Sequence, residues 1–197
     1  MKVLAGAFLL LLLSCSESEN SGILPEGAAR LSVSFRASDM STRAPGVKPG
    51  EKSYNEDVLH KLDIFLYPLA ADGESQENMP AVYHLEASGL SADGQYDVKD
   101  YVLSKATLNA LRLQSDGAEC YIYAVANSPV VFDNDAMTVA EIKQQRIEAS
   151  SFAENSADGR KQKDFVMTGE TKAQYTLFGA VLSGNIPLKR VAAKMEF

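Results

Sequence analysis

The chain has 197 residues, room for one ordinary domain with extensions, and its 46% hydrophobic content can fill a single core. With 19 basic against 26 acidic residues it carries a net charge of −7. No basic stripe relieves that balance, so a phosphate backbone is a poor partner and no nucleic acid is expected.

The chain starts with a processing signal. Met1 and Lys2 are followed by the uncharged apolar run Val3–Leu13, about half the length a membrane-spanning helix needs. The run ends in Leu12-Leu13-Ser14-Cys15, which resembles a bacterial lipobox: leucine first, a small residue before the scissile bond, then cysteine. Leu13 is larger than usual for its place. Residues 1–14 therefore read as a lipoprotein signal peptide and Cys15 as the lipidated residue, the alternative being an ordinary secretory signal with a chance cysteine. Each buried methylene of an acyl chain contributes ~0.8 kcal/mol, and several chains on one residue hold a protein at the outer membrane. The tract Ser16-Glu17-Ser18-Glu19 resembles the surface-export signal of Bacteroidota lipoproteins, or serves as a solvated spacer. Residues 15–30 form a polar tether.

Leu31, Val33 and Phe35 alternate with Ser32, Ser34 and Arg36, the period of a strand with one buried face. Ala37 to Asp57 is a long, exposed loop of prolines, glycines and charges, in which Arg43 by itself reads as a solvated loop arginine. Leu62, Ile64 and Leu66 predict a second strand, covered on both sides because Phe65 and Tyr67 line its other face, and ending at Pro68. Ala70–Pro80 reads as loop. Tyr83 and Leu85 suggest a short strand ended by a turn at Gly89 to Gly94. Tyr96 to Leu113 fits a helix or a strand pair about equally. Glu119–Asn127 is the most strand-like stretch, and Thr138 with Glu141 marks a capped helix whose inward stripe is Val139 and Ile142, continued at Ile147. Ser150–Gln162 is polar loop. Phe165–Met167, Tyr175–Phe178 and Ile186–Phe197 read as further strands, the last alternating Val191, Ala193, Met195 and Phe197. Many short strands and one capped helix predict a mostly antiparallel β-sandwich.

Little in the chain points to catalysis. His60 and His84 stand without neighbouring Cys or His, whereas a zinc centre needs three or four clustered ligands. Asp133-Asn134-Asp135 lacks the glycine and terminal glutamate of a calcium loop and reads as a turn. No nucleophile elbow, zinc-protease motif or phosphate loop occurs. The carboxylates cannot be placed at a glycosidase separation. Tyr83, Tyr121 and Tyr123 alternate as core residues do, and the lack of Trp weakens a sugar platform. Cys120, with Cys15 acylated, has no disulfide partner and reads as a small core hydrophobe. No enzyme, metal or cofactor is expected.

The ordered segments "RLSVSFRAS", "STRAPG", "LHKLDIFLYP", "CYIYAVAN", "MTVAEIK", "FVMTGE" and "IPLKRVAAKMEF" behind a lipobox cysteine resemble the N-terminal domain of the Bacteroidota fimbrillins, across roughly Arg30 to Phe197. The resemblance implies a transthyretin-like β-sandwich over 31–197. It also implies a lipoprotein precursor cut by an arginine-specific protease, by position at Arg43-Ala44. Segment 31–43, with Leu31, Val33 and Phe35, would then leave, and a strand from another fimbrial subunit would take its place. Family shaft subunits carry a second domain that donates such a strand. This sequence stops at Phe197, where that C-terminal domain would follow and is absent, so either it is a fragment or its product accepts a strand without donating one. The implied function is a structural, adhesive subunit of a surface fimbria, its receptor undefined. Three alternatives share the address: a fimbrial anchor or tip lipoprotein, a glycan-binding surface lipoprotein and, last, a lipid-tethered hydrolase.

Overall fold

The computed structural model describes residues 23–37, 58–93, 95–132, 134–145 and 166–191. Among the described residues there are seven strands and two short helices. In chain order they are β1 (Ala29–Ala37), β2 (Val58–Pro68), β3 (Tyr83–Asp93), β4 (Gln95–Leu103), α1 (Lys105–Ala110), β5 (Glu119–Ala126), α2 (Val139–Lys143), β6 (Met167–Thr176) and β7 (Val181–Arg190), with a 3₁₀ turn at Gln76–Asn78. The strands hydrogen-bond in the order β3-β2-β5-β6-β7-β1-β4. The outermost strands, β3 and β4, follow one another in the chain with Gly94 between them. All neighbours are antiparallel except β1 and β7, which run parallel. The fold is the mainly β sandwich expected, with this one parallel pair added. Among the described residues no helix is long and apolar enough to cross a membrane.

Strand periodicity explains the layers. Leu62, Ile64 and Leu66 of β2, Cys120, Ile122 and Ala124 of β5, and Leu182, Ile186 and Leu188 of β7 all enter one interior cluster, since alternate side chains share a face. Leu108, Leu111 and Leu113, on and after α1, plug the end of this core. Ser104 caps α1 by accepting a bond from the Thr107 amide at 3.1 Å.

The other face of β2 and β5 is also apolar and needs its own cover. Phe65, Tyr67, Tyr123 and Val125 pack beneath Val139 and Ile142 of α2 and the preceding Phe132 and Met137. The capping box on α2 is complete: Thr138 Oγ1 accepts from the Glu141 amide at 3.1 Å and Glu141 Oε2 from the Thr138 amide at 2.8 Å. β2 is thus covered on both sides, as its sequence predicts. Cys120 lies in the interior core, and burial pushes its thiol up to about 12, with Glu119 adding to the effect.

Four expectations need correction. The strand at Tyr83 does not end at Gly89 but continues to Asp93, because β2 supplies backbone partners as far as Val58. Tyr96–Leu113 is neither a helix nor a strand pair: it is β4 followed by α1. The strands expected at Phe165–Met167 and Tyr175–Phe178 are the two ends of one strand, β6, paired with β5 from Met167 to Gln174. Its middle, Thr168 to Thr171, is polar enough to hide the continuity. The final strand is Val181–Arg190, and its inward residues are Leu182, Ile186 and Leu188. Val191 lies just beyond it and is exposed, and the rest of the expected Val191–Phe197 alternation lies outside the described residues, as does Ile147.

Candidate functional site: the first strand and its groove

Of the residues singled out in the sequence, Leu31, Val33 and Phe35 are brought together, and they define the site. Joined by Ala29, they point into the core from β1 and are at most 1% exposed. Arg30, Ser32 and Ser34 are half-buried on the outer face and Arg36 is exposed. Cys15, Arg43 and Ala44 lie outside the described residues.

β1 is an interior strand, which its sequence does not reveal. On one side it pairs in parallel with β7, from Arg30–Val181 to Ala37–Leu188. On the other it pairs antiparallel with β4, from Ala29–Leu103 to Arg36–Gln95. That second ladder has a bulge. Leu31 faces Tyr101 and Val33 faces Val98, which leaves Ser32 opposite both Lys99 and Asp100. On the outer face this end of the ladder forms a shallow polar hollow of about 280 Å³, lined by Ser32, Ser34, Arg36, Asp97 and Lys99.

Adjacent strands lie about 4.8 Å apart, so a missing β1 would leave a slot about 9.6 Å wide between β7 and β4. Both walls would expose unpaired amides and carbonyls, over a floor of apolar side chains that now contact Leu31, Val33 and Phe35. Burial of those three contributes about 1.5–3 kcal/mol each. Their sum is comparable with much of the ~5–15 kcal/mol net stability of a domain.

The chain enters β1 through a tight turn. The Ala28 amide donates to the Pro25 carbonyl at 3.0 Å, and the Arg30 amide to the Ala180 carbonyl at 2.8 Å. Gly27 adopts φ +73°, so glycine is favoured there by conformation.

A second cluster, which separate reading of the two histidines misses, lies on the outer face of β2 and β3. His84 stacks on its cross-strand partner Phe65, with ring centroids 4.2 Å apart. Its Nε2 is 3.1 Å from Asp63 Oδ1 and its Nδ1 is 3.3 Å from Asp135 Oδ1. Lys61 Nζ lies 3.3 Å from Asp63 and 3.1 Å from Glu86. Asp63 is fully buried. Burial disfavours the His84 cation, but the bond and charge of Asp63, helped by Asp135, outweigh it and raise the pKa. The two carboxylates address opposite ring nitrogens, so the three groups do not converge on one point. In the sequence Asp63 and His84 stand out only as polar residues within apolar strands; their meeting depends on the β2–β3 register.

The tyrosines considered as a sugar platform are otherwise occupied. Tyr123 is buried under α2, Tyr83 packs against the interior core, and Tyr121 donates its hydroxyl to Glu170 at 2.6 Å. Asn134 accepts a bond from the Ala136 amide at 2.9 Å, the turn expected of that stretch.

No family model matches the chain, and no curated protein matches it. Solved structures do. One, from Bacteroides eggerthii and described as a cell adhesion protein, aligns with 84% of this chain and 41% of its own at 13% identity and a TM-score of 0.43. A fimbrial assembly protein from Parabacteroides distasonis aligns with 83% of this chain and 53% of its own at 7% identity and a TM-score of 0.43. A protein from Bacteroides thetaiotaomicron described as polysaccharide-binding aligns with 81% and 46% at 13% identity and a TM-score of 0.39. This chain spans about half, or less, of the length of each.

Proposed function

We propose that the chain is the precursor of a structural subunit of a surface fimbria, carried to the outer membrane by a lipid on Cys15. It enters the polymer when proteolysis at Arg43-Ala44 frees β1 and a strand from another subunit replaces it. The observation that carries this reading is the position of β1. An N-terminal strand that fills an interior slot, and is followed by a long segment containing Arg43, can be lost without breaking the rest of the chain. The vacated slot offers edge hydrogen bonds on both sides and pockets for alternate side chains, the elements of recognition by strand addition. In this reading β1 is a placeholder that blocks premature assembly.

The test uses the full chain treated with an arginine-specific protease under native conditions. The expected products are a fragment ending at Arg43 and a domain starting at Ala44. A labelled peptide covering Arg30–Ala37 should then exchange into the cut domain and not into the uncut chain. Resistance of the folded chain at Arg43, with the acyl group still on Cys15, would mark an anchor lipoprotein instead. A cut domain that stays monomeric and takes up no peptide would sink strand exchange.

A further inference from the structure

We propose that the β6–β7 turn, with Leu177 and Phe178 at its tip, rests in the surface of the bilayer that holds the Cys15 lipid. This inference builds on the lipoprotein reading above. Phe178 is 95% exposed and Leu177 58% exposed, adjacent apolar side chains at the end of a sandwich with an ample core. The turn is held in shape. Asp116 Oδ1 accepts from the Leu177 amide at 2.9 Å, the Ala180 amide donates to the Leu177 carbonyl at 3.2 Å, and Gly179 and Ala180 take φ values of +93° and +48°. A turn braced this way presents its tip instead of folding it inward.

The path of the chain identifies what covers the tip. β1 begins directly beside the turn, with Arg30 bonded to Ala180 and paired with Val181. Only residues 16–28 separate that point from Cys15. Residues 25–28 are part of the domain, with Ala28 bonded to Pro25, and the length of 16–22 limits the reach from Ile23 to Cys15 to roughly 25 Å, whereas β1 carries the fold about 30 Å onward to its far end. A lipid on Cys15 therefore brings this end of the sandwich to the bilayer, and the opposite end stays away from it. Exposed Lys105 and Arg112 lie at the same end, as do exposed Asp116 and Glu119, so the mixed charges select no lipid headgroup. An aromatic ring and a leucine at the acyl boundary gain by burying apolar area.

The chain has no tryptophan, so Phe178→Trp creates a single reporter. Val131, 70% exposed beyond the far end of β5, supplies the control as Val131→Trp. Full-length lipidated protein is placed in phosphatidylethanolamine and phosphatidylglycerol vesicles, with and without bromine on the acyl chains. The F178W emission should fall at least about twofold in brominated vesicles, irrespective of salt, while V131W stays unchanged. L177W, at the same tip, should follow F178W. Equal response of tip and control would overturn the proposal. So would tip shielding that ignores bromine and grows with protein concentration, the mark of a second copy on the turn. A chain lacking acyl mass on Cys15 fails earlier, in the mass spectrum, and removes the lipoprotein reading along with this one.

Discussion

Phe35 faces Ile186 across the parallel β1–β7 ladder, and both are fully buried. The pair joins the first strand of the chain to the last described one, and Ile186 in turn fills the space left by a glycine on β6. Gly169 has no room for a side chain: a Cβ there would stand 2.6 Å from Ile186 Cγ2 and 2.6 Å from the Pro187 carbonyl oxygen. Thus the seat of Phe35 is set by three neighbouring strands, β6, β7 and β1, with β7 in the middle.

Phe35→Ala should cost about 3–5 kcal/mol, since it removes a large ring from a closed core. Arg36→Ala, at the exposed neighbouring position, should stay within about 0.5 kcal/mol. Urea titration followed by circular dichroism separates the two. Similar midpoints for both variants would mean that β1 is not packed as described.

Gly169→Ala should destabilise by about 1–3 kcal/mol through overpacking. Valine at 186 would keep the clashing Cγ2, so the partner variant is Ile186→Ala, which removes that methyl and leaves the Pro187 carbonyl in place. Gly169→Ala should therefore cost less in the Ile186→Ala background than alone, but not nothing. No residual cost in that background would show that the backbone of β7 can move away.

His84 predicts a pH dependence. The imidazolium can donate from both ring nitrogens, to Asp63 and to Asp135, whereas the neutral ring donates from one. Its folded pKa is raised above 6.5, so the folded state binds the proton more tightly than the unfolded chain does. The resulting stability is fully present below about pH 6.5 and is lost as pH rises through the folded value. His84→Gln should lower Tm most near about pH 5.5 and least near about pH 8.5. Lys61, paired with Asp63 and Glu86, completes the charged surroundings. An imidazole midpoint at or below 6.5 by NMR would contradict the assignment.

Much of the fold is legible in the sequence where one physical signal dominates. The alternation through Leu31 and Phe35, the double-faced apolar run of β2 and the capping box at Thr138 each specify an element from adjacent residues alone. β6 escapes because its middle, Thr168-Gly169-Glu170-Thr171, lacks the apolar period and sets two poor strand formers, Gly169 and Glu170, at its centre. Its neighbours β5 and β7 impose extended structure there, and Gly169 is required by Ile186 rather than by a turn. The start of β7 escapes for a related reason: Gly184 interrupts the inward apolar series between Leu182 and Ile186. The candidate site divides in the same way. The inward residues of β1 are plain from their spacing, but the parallel pairing that makes β1 an interior strand depends on residues some 150 positions away. The Asp63–His84 contact likewise arises from cross-strand register, which no local pattern encodes.

The two unlike ladders around β1 give the slot a grain. A strand laid in the direction of β1 meets β7 parallel and β4 antiparallel, and its alternate residues fall in step with the bulge at Lys99 and Asp100. A strand laid in reverse must exchange both pairing patterns and meets the extra β4 residue out of step. If subunits join through this slot, every junction therefore inherits the same sense. The filament would then have a distinguishable head and tail, with growth and capping at different ends, as a consequence of one parallel pair in an otherwise antiparallel sheet.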